Sequence, residues 1–153
     1  TSGYAGGGTG EAPTYQQVGM GRTKHAEVVQ VEFDPAVLSY QTLLDIFFTI
    51  HDPTTLNRQG NDVGEQYRSA IFYTNEEQKA QAQATIEALS AKGEYSESIV
   101  TQVQPLDKFY TAEEYHQNYY QENQQQPYCQ LVISPKIKKF HEKFGSMLKP
   151  EHQ

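Results

Sequence analysis

HAEVVQVEFDPAVLSYQTLLDIFFTIH, residues 25–51, changes its hydrophobic period part-way, and that change sets the fold class. From His25 to Phe33 the side chains alternate as in a strand. Val29, Val31 and Phe33 share one face, and Gln30 and Glu32 fall on the other. Glu27 lies on the Val29/Val31/Phe33 face, which is the expected core face. From about Ser39 to His51 the spacing becomes helical, with Tyr40, Leu43, Leu44, Phe47 and His51 in one stripe and Ser39 as N-cap.

The same alternation continues along the chain. SAIFY at 69–73 is a short strand. Thr74 and Glu77 form a capping box ahead of a helix that ends near Gly93, its apolar stripe made by Ala82, Ile86 and Leu89. SIVTQVQ at 98–104 reads as a third strand. Thr111 and Glu114 form a second capping box before AEEYHQNYYQEN. Ser134-Pro135 opens a last helix with Ile137, Phe140, Phe144 and Leu148 inward and Lys136, Lys138, Lys139 and Lys143 on its wet side. Strands interleaved with helices imply a sheet covered by helices. Three strands make a thin sheet, so a further strand is expected from an upstream segment. Residues 1–15, TSGYAGGGTGEAPTY, read as glycine-rich turns.

At 153 residues the chain is one ordinary domain, read as spanning 1–153. It has 12 Lys plus Arg against 19 Asp plus Glu, a formal charge of −7 that argues against a nucleic-acid or acidic-membrane surface. The acidic excess is scattered and reads as a solubilising surface. Cys129 is the single cysteine, so no intrachain disulfide forms, and a lone thiol suits a reducing, cytoplasmic setting. No apolar run approaches a membrane span. The chain opens on Thr1 rather than Met, which leaves room for a processed targeting peptide.

Four constellations bear chemistry. Glu27 on an apolar face is either a strand-end carboxylate that reaches water or a buried acid of raised pKa able to donate a proton near neutrality. In NRQGNDVGEQYR, 57–68, Gly60 and Gly64 bracket Asn61 and Asp62, Tyr67 and Arg68 follow, and the stretch is dense in amides, carboxylates and a phenol with no Ser or Lys. A polar connection of this kind is more often functional than a plain solvated loop. Tyr15 follows Pro13-Thr14; the neighbouring glycines lack the lysine of a phosphate loop, so nucleotide binding is rejected, and taken alone Tyr15 reads as a packing residue. His25-Ala26-Glu27 with Pro127-Tyr128-Cys129 fails as a zinc deaminase pattern, since Pro127 is not adjacent to Cys129 and one cysteine cannot supply two thiolates. No metal or cofactor is expected.

Taken together, GYAGG at 3–7, PTY at 13–15, HAE at 25–27, HDPT at 51–54, NRQGNDVGEQYRSAIF at 57–72 and FYTAEEYHQNY at 109–119 resemble the A-type peptide methionine sulfoxide reductases, in order and over nearly the whole chain. The resemblance implies an α+β two-layer sandwich, a mixed sheet with helices packed on it around a ferredoxin-like core. It implies reduction of the S epimer of methionine sulfoxide, free or in protein, by a monomer regenerated by thioredoxin. Glu27 then matches the acid that protonates the sulfoxide oxygen, Tyr15 and Tyr67 the phenols that hydrogen-bond it, and Asp62 the carboxylate that organises the site. Cys129, in QPYCQ, matches a resolving thiol. The family's nucleophile sits in a Gly-Cys-Phe-Trp-Gly motif upstream of Gly3, and its aromatics line the methyl pocket. The expectation is therefore that the nucleophile segment and a strand precede Thr1; without them the chain would be a catalytically incomplete sulfoxide-binding module.

Overall fold

The computed structural model describes residues 1–8 and 10–148. Its centre is a strand that the sequence reading took for turns. Ser2–Ala5 (β1) lies between Ala26–Val29 (β2) and Phe109–Thr111 (β7), antiparallel to both. Gly3 is the reason it can. A Cβ there would lie 2.3 Å from the Phe109 ring and 2.4 Å from the Tyr110 carbonyl oxygen, so only glycine lets β7 approach this closely. The chain then turns out of the sheet at Gly6, whose φ of +72° favours glycine.

β2 stops at Val29, short of the expected Phe33, and it faces the other way. Ala26 is buried and Val28 half-buried, while Val29 is 70% and Val31 52% exposed. Alternation fixes which residues share a face but not which face is inward. Ala26 and Val28 point to the more buried side, and Glu27 shares the other face with Val29 and, across the ladder, with Tyr4.

Ser39 caps Tyr40–Ile50 (α2) as expected, accepting the Thr42 N–H, and Leu44 and Phe48 are its buried residues. The 52–68 connection holds a two-pair hairpin, Arg58–Gln59 (β3) against Asp62–Val63 (β4), followed by a 3-10 turn at Glu65–Tyr67. Ala70–Tyr73 (β5) pairs in parallel with Gln102–Pro105 (β6), and Glu76–Lys92 (α3) connects them. The cap of α3 is Asn75, one residue later than expected. Its side chain accepts from Gln78 N, while Gln78 Oε1 accepts from Thr74 N, so the expected Thr74/Glu77 capping box does not form. Gly93, in the left-handed region, closes the helix.

The second expected capping box does not form. Thr111 ends β7, and only a 3-10 turn at Glu114–His116 and a single helical turn, Tyr119–Glu122 (α4), follow. Ser134–Phe144 (α5) carries Pro at its start as expected, but it continues from a π-helical turn at Cys129–Ile133 and so needs no side-chain cap. Ile137, Phe140, Phe144 and Leu148 are half-buried, and α5 packs on α2. The fold is α+β, with antiparallel pairing in β2-β1-β7, parallel pairing in β5-β6, and helices α2 and α3 packed together beside them. Tyr15–Gly19 (α1) enters the core through Val18, which packs with Tyr4, Ala112 and Tyr110.

Candidate active site

Two loops, one strand and one short helix carry the candidate groups toward the sheet face of Tyr4 and Glu27. Tyr15 is the first residue of α1, fixed by a capping box in which Thr14 and Gln17 satisfy each other's backbone N–H. Glu27 is on β2, directly opposite Tyr4 of β1. Asp62 starts β4, and Tyr67 ends the 3-10 turn that packs against β2.

The elements are tied together by side-chain bonds. Gln66 is buried and donates from Nε2 to Gly19 O at 3.2 Å, fastening the turn of Tyr67 to the end of α1. Gly64 makes room for it: at φ +153°, a Cβ there would meet Gln66 Oε1 at 2.3 Å. Arg68 donates to Glu65 O, Gly6 O and Gln102 Oε1, linking the same turn to β1 and β6.

The charges of Glu27 and Asp62 reach both Tyr15 and Tyr67, and that of Asp62 reaches Glu27. Glu27 has its pKa raised above the ordinary carboxylate range, first by the protein around its carboxyl and then by the Asp62 charge. The residue as a whole is exposed, so the acid is reachable from solvent although burial raises its pKa. Tyr15 is pushed up by burial, then by Glu27, Tyr115 and Asp62. Tyr67 is pushed up by burial, then by Glu27, Tyr15 and Asp62. Both phenols therefore keep their protons at neutral pH and can donate hydrogen bonds.

A fifth group completes the cluster and was not expected from the sequence. Tyr128 donates its O–H to Asp62 Oδ2 at 3.1 Å, and its pKa is pushed up to about 12 by burial and by Asp62. Its signal was adjacency: it precedes Cys129 in QPYCQ. Cys129 itself is fully buried in the π-helical turn, and its carbonyl accepts from Ser134 Oγ.

A sulfoxide is polarised by hydrogen-bond donors aimed at its oxygen, and a glutamic acid of raised pKa and two protonated phenols are groups of that kind. Among the described residues no group of three His, Cys, Asp or Glu is placed to hold a metal ion. Surface hollows of about 340 Å³ over residues 121–126 and about 310 Å³ beside Tyr95–Ile99 include none of these groups.

The model of the peptide methionine sulfoxide reductase family matches residues 1–148. This chain belongs to the peptide methionine sulfoxide reductase family. It is 55% identical to a peptide methionine sulfoxide reductase MsrA of Acinetobacter baumannii (strain AYE) over 97% of this chain and 84% of that protein. It is 54% identical to the MsrA of Chromobacterium violaceum over 96% of this chain and 83% of that protein. Among solved structures it is similar to reduced Mxr1 from Saccharomyces cerevisiae, at 39% identity and a TM-score of 0.77, over 84% of this chain and 72% of that one. The reductase family thus places its chain on an α+β scaffold, and the chain is an oxidoreductase of that family. No helix among the described residues is long and apolar enough to cross a membrane.

Proposed function

We propose that the protein reduces methionine sulfoxide, free or protein-bound, to methionine, with Glu27 as the proton donor. The observation that carries this is the raised pKa of Glu27 beside Asp62, Tyr15 and Tyr67. A sulfoxide sulfur is a poor electrophile until its oxygen is protonated. Glu27 delivers that proton while Tyr15 and Tyr67 hold the oxygen. A cysteine thiolate then attacks: the S–O bond passes from methionine to cysteine, the cysteine is oxidised to sulfenic acid, and the substrate leaves as thioether. A second thiol, assigned to Cys129, condenses with the sulfenic acid to give a disulfide and water, and a dithiol reductant of the thioredoxin type returns both cysteines to thiols.

The attacking thiol is assigned to a segment upstream of Thr1, because Cys129 stands in QPYCQ, a different motif from the Gly-Cys-Phe-Trp-Gly that carries the family's nucleophile. The reading includes preference for the S epimer, since oxygen donors on one side and a methyl pocket on the other fix the handedness of sulfur. It also includes a monomeric enzyme in a reducing, cytoplasmic setting.

The test is dithiothreitol-driven reduction of each resolved epimer, followed by product chromatography. The 153-residue chain alone should leave both epimers unreduced. A chain extended upstream through a Gly-Cys-Phe-Trp segment should reduce the S epimer without added metal, and Glu27→Gln in it should slow the rate by about 10²-fold, the scale of a general acid. Full turnover by Glu27→Gln would end the acid role. Turnover by the unextended chain would move the nucleophile to Cys129, and sulfoxide binding with no reduction by the extended chain would leave a binding module.

A further inference from the structure

Residues 111–116, TAEEYH, contain two adjacent carboxylates, and the structure uses them differently. Glu114 begins the 3-10 turn and is exposed, whereas Glu113 turns back toward the sheet. Glu113 Oε1 accepts the backbone N–H of Tyr15 at 2.7 Å, and its Oε2 accepts the phenol of Tyr4 at 2.7 Å. Burial pushes the Glu113 carboxyl up, but these two hydrogen bonds, together with one from its own backbone and the His116 charge, hold the group below its ordinary value, so it is ionised. Charge-assisted bonds of this length are strong and directional.

The consequence is geometric. Tyr4 is 2% exposed and stands directly opposite Glu27 in the β1–β2 register. One carboxylate thus grips both the strand that positions the acid and the helix residue that carries a phenol. Tyr115 and His116, two and three positions further on, meet the ring of Tyr15 as well. His116 lies 4.5 Å from it, centroid to centroid, and Tyr115 meets it edge-on at 6.4 Å.

We infer that Glu113 is a positioning residue for reduction, setting the Tyr15 phenol against the oxygen that Glu27 protonates. Glu113 touches neither substrate nor reacting atoms; it acts through the Tyr15 backbone. The inference rests on the proposed roles of Tyr15 and Glu27. Because either phenol can partly orient a sulfoxide, loss of Tyr15 placement is masked while Tyr67 remains. It is exposed when Tyr67 is removed.

The experiment is single-turnover reduction of the S epimer by the enzyme carrying its upstream cysteine, with Glu113→Ala placed in three backgrounds. In wild type the substitution should slow the reaction by a few-fold; in Tyr67→Phe it should slow it by about tenfold or more, the scale of a misplaced reacting group. In Tyr15→Phe it should change the rate by less than about twofold, because the residue it acts through no longer donates. Glu113→Gln keeps acceptor oxygen for one of the two donors and should recover part of the loss in Tyr67→Phe. It also serves as the reporter should Glu113→Ala fail to fold. Equal losses in all three backgrounds mean a general structural role and overturn the inference, as does no loss in Tyr67→Phe. If Glu27→Gln and the Tyr15→Phe/Tyr67→Phe pair both react at the wild-type rate, the proposed site itself is wrong, and the inference falls with it.

Discussion

The Tyr128 phenol and the Asp62 carboxylate meet at 3.1 Å although 66 residues separate them in sequence. That bond holds a negative charge close enough to Glu27 to raise its pKa. Asp62→Asn removes the charge while keeping an acceptor for Tyr128. Glu27 should then titrate closer to an ordinary carboxylic acid, and its protonated form should be lost at lower pH. The alkaline limb of single-turnover rate against pH should shift downward. An unmoved limb would mean that Asp62 does not tune the acid.

Glu27 should also weaken the fold at neutral pH. Its pKa is raised in the folded state, so its contribution to stability is fully present below the unfolded value and is lost as pH rises through the folded value. Glu27→Gln is therefore expected to melt above wild type near pH 7, with the two melting curves converging as the pH falls toward the ordinary carboxylate range. This is the trade expected of an active-site group. Lower stability of the glutamine variant at pH 7 would contradict the sign.

Cys129 is fully buried, so its proposed resolving step requires the 129–133 turn to open. Cys129→Ser should still convert one equivalent of sulfoxide but should not turn over with thioredoxin, and intact mass should reveal no disulfide. Normal thioredoxin-driven turnover would remove Cys129 from the cycle.

Gly7 abuts His25, which is 2% exposed. A Cβ on Gly7 would lie 2.2 Å from His25 Nδ1, and the imidazole packs edge-on to Tyr110 at 5.5 Å. Gly7→Ala is expected to destabilise the protein by about 1–3 kcal/mol, the range for overpacking. Urea denaturation checks this, and an unchanged midpoint would indicate that the 6–8 segment moves freely.

The candidate residues and the scaffold differ in how far the sequence carried them. Asp62 and Tyr67 stood out because a polar, glycine-bracketed stretch has no packing reason to exist, Glu27 because it was read on an apolar strand face, and the role of Tyr15 came only through motif resemblance. What was illegible depended on distant partners. SGYA does not look like a strand, because Gly3 is there for the Phe109 ring and Tyr110 carbonyl, more than 100 residues away. Val29 and Val31 carry more apolar surface than Ala26, so the face of β2 was taken in the wrong sense. Asn75 and Thr74 are both good caps, and the choice between them is made by Gln78. Glu113 was passed over for Glu114 because a local capping rule cannot see Tyr4 and Tyr15.

The β3–β4 hairpin has a consequence for how the enzyme ages under stress. It is two residue pairs long, closed at Gly60, where Arg58 Nε donates to the carbonyl, and pinned at its base by the Asp52–Gln59 amide pair. No residue from Thr54 to Glu65 is buried, and Leu56 and Val63 are 69% and 70% exposed. Its opening therefore uncovers almost no apolar surface and breaks only a handful of hydrogen bonds that water can replace. Amides around Asp62 should therefore exchange with deuterium faster than those of β1. Heat or mild denaturant is expected to release the carboxylate that tunes Glu27 before the sheet yields, a loss of activity that cooling should reverse.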